Sequence, residues 1–176
     1  VVFCEPTESI GYVLQKIKIS RRDLLPVVNR TKLVGMISEH DFVKLVYEKY
    51  TGIPINEVMS TKPLFIHPNM SILTCMKTMV NTHYHRLPVV GGNELVGMIT
   101  GNEILRYLDD MNYTSIRLNE DIENIMSSPA IYITEHEDVS DAVKSMIENK
   151  IGGLPVISEN NKLKGIITER DVVELL

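Results

Sequence analysis

The segment Leu-Pro-Val-Val, or its close variant, occurs three times: Leu25-Pro26-Val27-Val28, Leu87-Pro88-Val89-Val90 and Leu154-Pro155-Val156-Ile157. The two steps between copies are 62 and 67 residues. Self-similarity on this scale means that one supersecondary unit has been copied, and the unit rather than the whole chain is what must fold. A polar turn follows each copy (Asn29-Arg30-Thr31, Gly91-Gly92-Asn93, Glu159-Asn160-Asn161), and then a second, glycine-led apolar run. Two short apolar runs joined by a turn read as a hairpin. The proline lacks an N–H, so it belongs at a strand start or a sheet edge.

Fifteen residues before each Leu stands Ile10, Ile72 or Val139, opening a helical pattern. In the third copy Val139, Ala142, Val143, Met146 and Ile147 lie at i, i+3, i+4, i+7 and i+8, one face of a helix. Ile10, Val13, Leu14 and Ile17 do the same in the first copy; Ile72, Met76, Met79 and Val80 do so in the second. A β-like segment precedes each helix: Val1–Phe3, Leu64–Ile66 and Ile131–Ile133. Met59-Ser60 and Met126-Ser127 each lie 28 residues before their Leu-Pro. Each repeat is therefore predicted as strand-helix-strand-strand-helix, an α/β (α+β) class, over 1–50, 58–110 and 125–176. The chain opens at Val1 inside an apolar run, so the first repeat is expected to be truncated. The connectors Tyr47–Val58 and Asp109–Ile125 are polar, and Tyr50-Thr51-Gly52-Ile53-Pro54 reads as a helix stop and turn. A unit of about 50 residues buries little surface alone and is expected to pair.

The net charge of −5 argues against a general nucleic-acid binder, which needs a basic face. There is no long apolar run and no signal-peptide pattern, so no membrane association and a cytoplasmic location are expected. Cys4 and Cys75 have neither metal spacing nor a disulfide-framework pattern and read as buried, reduced thiols. His83-x-His85 lacks the further ligands of a metal site. With no nucleophile–base constellation and no phosphate loop, the chain does not read as an enzyme and no catalytic cofactor is expected. His40 and His136 are expected to face water. The acidic runs Asp109-Asp110 and Glu135 to Asp138 are expected to be solvated.

The second apolar run ends each time in a hydroxyl, with an acid three residues on: Ser38 and Asp41, Thr100 and Glu103, Thr168 and Asp171. A helical pattern begins there. Two readings fit. One is a capping box, in which hydroxyl and carboxylate satisfy the first helical N–H groups. The other uses the same geometry for a ligand. Free N–H groups at a helix start suit phosphate, and a carboxylate can accept both hydroxyls of a ribose. Glu103 departs from the pattern: it is the better capping residue, and its extra methylene moves the carboxylate.

Met-Ser, Leu-Pro-Val-Val and Gly-apolar-Ile-Ser/Thr-x-x-Asp/Glu, repeated in this order, resemble tandem CBS domains, the modules named after cystathionine β-synthase. The resemblance extends over nearly the whole chain. His85-Arg86-Leu87-Pro88 and Gly152-Gly153-Leu154-Pro155 are similar to the last repeats of archaeal four-repeat proteins and of the gamma subunit of AMP-activated protein kinase. It implies repeats paired into disc-like Bateman modules, the second with the third, and a further repeat ahead of Val1 or supplied by another chain. It also implies a regulatory ligand, AMP, ADP or ATP, with the Asp on ribose and the Ser/Thr beside phosphate. His85 and Arg86 would face phosphate; Arg21, Arg22 and Lys150 are secondary candidates. An apolar slot for the base would use Leu64 and Tyr84 for the Thr168/Asp171 site, and Ala130, Ile131 and Ile151 for the Thr100/Glu103 site. Plain core packing is the competing reading for Leu64 and Ile131. A homodimer and a regulated partner such as a kinase or other enzyme are the expected assemblies. A ligand-free scaffold and an S-adenosylmethionine sensor are the alternatives.

Overall fold

The computed structural model describes residues 1–49, 51–110 and 115–176. Tyr50, which ends the first expected repeat, and residues 111–114 of the second connector lie outside them. Repeat one comprises α1 (Ile10–Ser20), β1 (Leu24–Asn29), β2 (Lys32–Ser38) and α2 (Glu39–Lys49). Repeat two comprises β3 (Ser60–Thr61), α3 (Ile72–Thr82), β4 (Arg86–Gly91), β5 (Glu94–Thr100) and α4 (Gly101–Asp110). Repeat three comprises β6 (Ile133–Thr134), α5 (Val139–Asn149), β7 (Gly153–Ile157), β8 (Leu163–Thr168) and the short α6 (Glu169–Val173). Among the described residues no helix is long and apolar enough to cross a membrane.

Local chemistry sets the helix limits. Ser9, Ser71 and Asp138 cap α1, α3 and α5, accepting from the N–H groups of Tyr12, Thr74 and Ser140. All three helices end on a left-handed residue at equivalent positions: Arg21 (φ 50°), His83 (φ 60°) and Lys150 (φ 55°). Arg21 and Lys150, named above as secondary phosphate candidates, thus serve as helix stops.

The first two hairpins share one register. Leu25 faces Ile37 and Pro26 faces Met36 in β1–β2; Leu87 faces Ile99 and Pro88 faces Met98 in β4–β5. Both shift register one residue after the following valine, between Val27 and Val28 and between Val89 and Val90. In the third copy β8 and β7 are neighbours, with β3 beside β8 and β6 beside β7.

The strand expected ahead of each helix is mostly shorter than its apolar run. In repeats one and two it shrinks to single bridges, Cys4 to Val27 and Ile66 to Val89. Only repeat three forms a strand, β6, with Ile133 beside Val156. The cause lies two residues on. Glu135 donates its N–H to Ile157 O and extends the ladder, whereas the equivalent positions are Pro6 and Pro68, which have no N–H.

The chain divides into two compact units, and neither coincides with a set of whole repeats. The first holds Val1–Ser60, His136–Leu154 and Ile167–Leu176; the second holds Thr61–Glu135 and Pro155–Ile166. In the first unit α2 packs against α5 and α6, and Phe42, Val43, Val139, Val143, Met146 and Val172 on these helices are buried. In the second, Ile66, Ile72, Cys75, Leu87, Val89, Ile99 and Ile104 form the main core, closed by Ile122.

Ile122 belongs to a single 3-10 turn in the connector, and Ile55 to its counterpart; both are fully buried. The two connectors are exchanged between repeats two and three. Ile55 N–H donates to Glu137 O and Val139 N–H to Ile53 O, so the connector before repeat two pairs at the start of repeat three's α5. Reciprocally, Ile122 N–H donates to Met70 O and Ile72 N–H to Glu120 O. Asp138 reinforces the first of these junctions. Burial opposes its charge, but Ser140 and the N–H groups of Gly52 and Ile53 outweigh that and hold its carboxyl below the usual range.

Candidate ligand-binding sites at the strand-to-helix junctions

Each second hairpin strand runs directly into a helix, and the acid three residues on turns back to the junction. Asp171 Oδ2 accepts from Thr168 N–H at 2.8 Å and from Thr168 Oγ1 at 2.6 Å. Asp41 Oδ2 accepts from Ser38 N–H at 2.8 Å and from its Oγ at 2.9 Å. Glu103 Oε2 accepts from Thr100 N–H at 2.6 Å and from its Oγ1 at 2.9 Å. The bonds from the junction residue to its acid are therefore formed at all three junctions, Glu103 included, and one carboxylate oxygen is committed to them; the reciprocal bond, from the acid's own N–H to the hydroxyl, is present at Thr100 and Thr168.

The second oxygen distinguishes the sites. Ser60 Oγ donates to Asp171 Oδ1 at 3.0 Å, and Ser127 Oγ donates to Glu103 Oε1. These are the serines of the two Met-Ser pairs, and each reaches the acid of the other repeat. No such donor is recorded for Asp41 among the described residues. Neither serine was among the expected site residues, although the fixed distance from Met-Ser to Leu-Pro was the signal that could have singled them out.

The remaining candidates divide between the two compact units. Ser38, Asp41, Thr168, Asp171 and Ile151 lie in the first. Thr100, Glu103, Leu64, Tyr84, His85, Arg86, Ala130 and Ile131 lie in the second. Leu64 (39% exposed), Tyr84 (54%) and Ile131 (45%) present apolar surface to solvent, so core packing does not account for Leu64 or Ile131. Ala130 instead packs in a small cluster with Leu95, Met98 and Ile157. His85 is exposed and Arg86 half-buried, and the carbonyl of His85 accepts from Gly101 N–H at the head of α4.

A charged cluster joins repeats one and three within the first unit. Arg170 donates from Nη2 to Asp23 Oδ1 at 2.8 Å and stands 3.0 Å from Glu39 Oε1. His40 does not simply face water: its Nδ1 lies 2.7 Å from Glu169 Oε1. Glu39 is the one buried charged residue among those described. Burial pushes its carboxyl up to about 7; Arg170 opposes the rise, and the neighbouring Asp23 and Glu169 add to it. Among the described residues no group of three or more His, Cys, Asp or Glu is arranged to hold a metal ion.

The CBS domain family matches residues 1–48, 55–110 and 122–176. The uncharacterized protein MJ1225 of Methanocaldococcus jannaschii is 33% identical over 159 residues, which cover 85% of this chain and 57% of that protein. This chain thus spans little more than half the length of that relative. The crystal structure of MJ1225, described as a candidate archaeal homologue of g-AMPK, superposes with a TM-score of 0.91 at 28% identity, covering 99% of this chain and 66% of that one. The CBS domain pair of protein MJ0100, solved with 5′-methylthioadenosine and S-adenosyl-L-methionine, superposes with a TM-score of 0.61 at 28% identity, covering 69% of this chain and 94% of that one. Three tandem matches spread along the chain, carried by the same repeated hairpin and junction, place this protein in the CBS domain family.

Proposed function

We propose that the chain is a regulatory module that binds an adenine nucleotide (AMP, ADP or ATP) at its strand-to-helix junctions and performs no chemistry on it. One observation carries the reading: a related CBS pair, 28% identical to this chain, was solved with two adenosine compounds. Consistent with it, this chain repeats a hydroxyl and a carboxylate at three junctions. Ser38 with Asp41 and Thr168 with Asp171 are the primary sites; Thr100 with Glu103 is a variant. The acid takes the ribose, the Ser/Thr lies beside phosphate, and His85 and Arg86 are the phosphate-facing pair of repeat two. Leu64, Tyr84, Ala130, Ile131 and Ile151 supply apolar surface for the base. The regulatory signal is the difference in affinity between nucleotide states, transmitted to a partner enzyme such as a kinase.

The test is calorimetric titration of AMP, ATP and S-adenosylmethionine into wild type and Asp171→Ala. Binding of AMP or ATP that weakens in the variant is the expected result. Heat from S-adenosylmethionine alone would favour the second reading, a sensor of phosphate-free adenosine compounds, to which the ligands of the MJ0100 pair point. No heat with any of the three at millimolar concentration leaves the scaffold reading.

Two copies of the chain pair through the hairpin of repeat one. Leu33 and Met36 occupy the register positions of Leu95 and Met98, yet Leu33 is 64% and Met36 50% exposed, against 7% and 9% for their counterparts. In repeat two that face is covered by residues of repeat three; an equivalent hairpin from a second copy covers it in repeat one. Sedimentation of wild type beside Met36→Lys tests this, with a dimer expected for the first and a monomer for the second.

A further inference from the structure

We infer that Ser60 and Ser127 are built-in competitors for the site acids: hydroxyls that occupy the carboxylate where a ligand diol would bind, and that the ligand must displace. The inference rests on the nucleotide-binding reading above and adds residues to it that the family resemblance did not supply.

The argument is one of hydrogen-bond capacity. An ionised carboxylate has about four acceptor positions, two on each oxygen. At Asp171, Oδ2 already takes the N–H and the hydroxyl of Thr168, and Oδ1 takes the hydroxyl of Ser60. One position remains, and a ribose diol offers two donors. Opening the Thr168 pair would undo the α6 cap, which has both of its reciprocal bonds in place. Releasing Ser60 costs one exposed hydroxyl contact, which water can replace. The serine is therefore the group that yields. Glu103 repeats the arrangement, with Oε2 filled by Thr100 and Oε1 held by Ser127. Asp41 has its inner oxygen filled in the same way and, among the described residues, no serine on the outer one.

This grades the sites. A ligand meets an internal competitor at Asp171 and Glu103 but not at Asp41. It also gives the sites a route outward, because Ser60 follows the connector turn that Ile55 anchors beside α5, and Ser127 follows the turn anchored by Ile122. Filling the site frees the serine hydroxyl, while the turn itself stays anchored by its buried isoleucine and backbone bonds.

The experiment measures AMP binding by calorimetry, and thermal stability without ligand, for wild type, Ser60→Ala, Ser60→Thr and Asp171→Ala. The heat lost in Asp171→Ala identifies the site. At that site Ser60→Ala is expected to bind AMP about threefold to tenfold more tightly, while melting no higher than wild type. Ser60→Thr retains the hydroxyl and is expected to return toward wild-type affinity, which separates loss of the donor from a general disturbance. Unchanged or weaker binding by Ser60→Ala, with Asp171→Ala still impaired, overturns the competitor role and leaves the site reading standing. No AMP heat in wild type, or an Asp171→Ala variant that binds as wild type does, overturns both. If Ser60→Ala does not fold, Ser127→Ala read against Glu103→Gln decides the same question at the second site.

Discussion

Gly97 lies so close to Met126 that a Cβ on the glycine would stand 2.7 Å from Met126 Sδ and 2.9 Å from the carbonyl oxygen of Ser127. The Met-Ser segment crosses this strand directly, and the bridge between Met98 and Ser127 fixes it there. Gly35 holds the same register position in repeat one, but its nearest neighbour would be Val27 Cβ at 3.9 Å. Gly97→Ala is expected to destabilise the fold by about 1–3 kcal/mol, because backbone must move to admit the methyl. Gly35→Ala, measured at a dilution where the chain is monomeric, is expected to stay within about 0.5 kcal/mol of wild type. Urea unfolding of the two variants side by side checks this.

Glu39 predicts a pH dependence of defined sign. Its carboxyl is raised to about 7 by burial, so the folded state binds the proton more tightly than the unfolded state does. Its contribution to stability is complete below about pH 4.5 and is lost as the pH rises through about 7, with an upper bound of about 3 kcal/mol. Other carboxylates slope the opposite way, so the useful quantity is a difference. Glu39→Gln is expected to gain stability relative to wild type between pH 5 and pH 8. Thermal melts of both proteins across that range read it, and a constant difference would refute the assignment.

Cys75 is fully buried, and burial pushes its thiol up to about 11; burial also raises Cys4. Thiolate is the reactive form, so both residues are expected to resist a thiol-directed reagent in the native protein and to react promptly once it is unfolded in urea. Timed Ellman assays distinguish the two conditions. Rapid native labelling would mean that the cores around these residues open readily.

Thr168 caps the short helix α6, with reciprocal bonds to Asp171. Thr168→Val keeps the shape and removes the hydroxyl, and is expected to cost about 1 kcal/mol. Thr168→Ser is expected to recover most of it. Denaturation midpoints for the pair, without ligand, isolate the capping role from any role in binding.

Much of the repeat was legible because its signals are local. The 15-residue spacing from helix start to Leu-Pro, the polar turns and the hydroxyl–acid junctions each depend on neighbours within one repeat. The helices begin at Ile10, Ile72 and Val139 as the apolar faces predict, and the hairpins carry their prolines against Met36 and Met98. The strands ahead of the helices are shorter than their apolar runs predict, because the prolines at 6 and 68 end the ladder after one bridge.

Residue order alone therefore dictated the threefold repeat, the elements within it and the position of an acid at every junction, because periodicity, turns and caps act over a few residues. Which distant group meets each acid was decided only in three dimensions. Ser60 reaches Asp171 across 111 positions of the chain, and Arg170 reaches Asp23 across 147. The exchange of connectors between repeats two and three, the burial that raises Glu39 and the exposure that sets Met36 apart from Met98 are likewise properties of packing. They depend on which surfaces are brought together, and no local pattern encodes that.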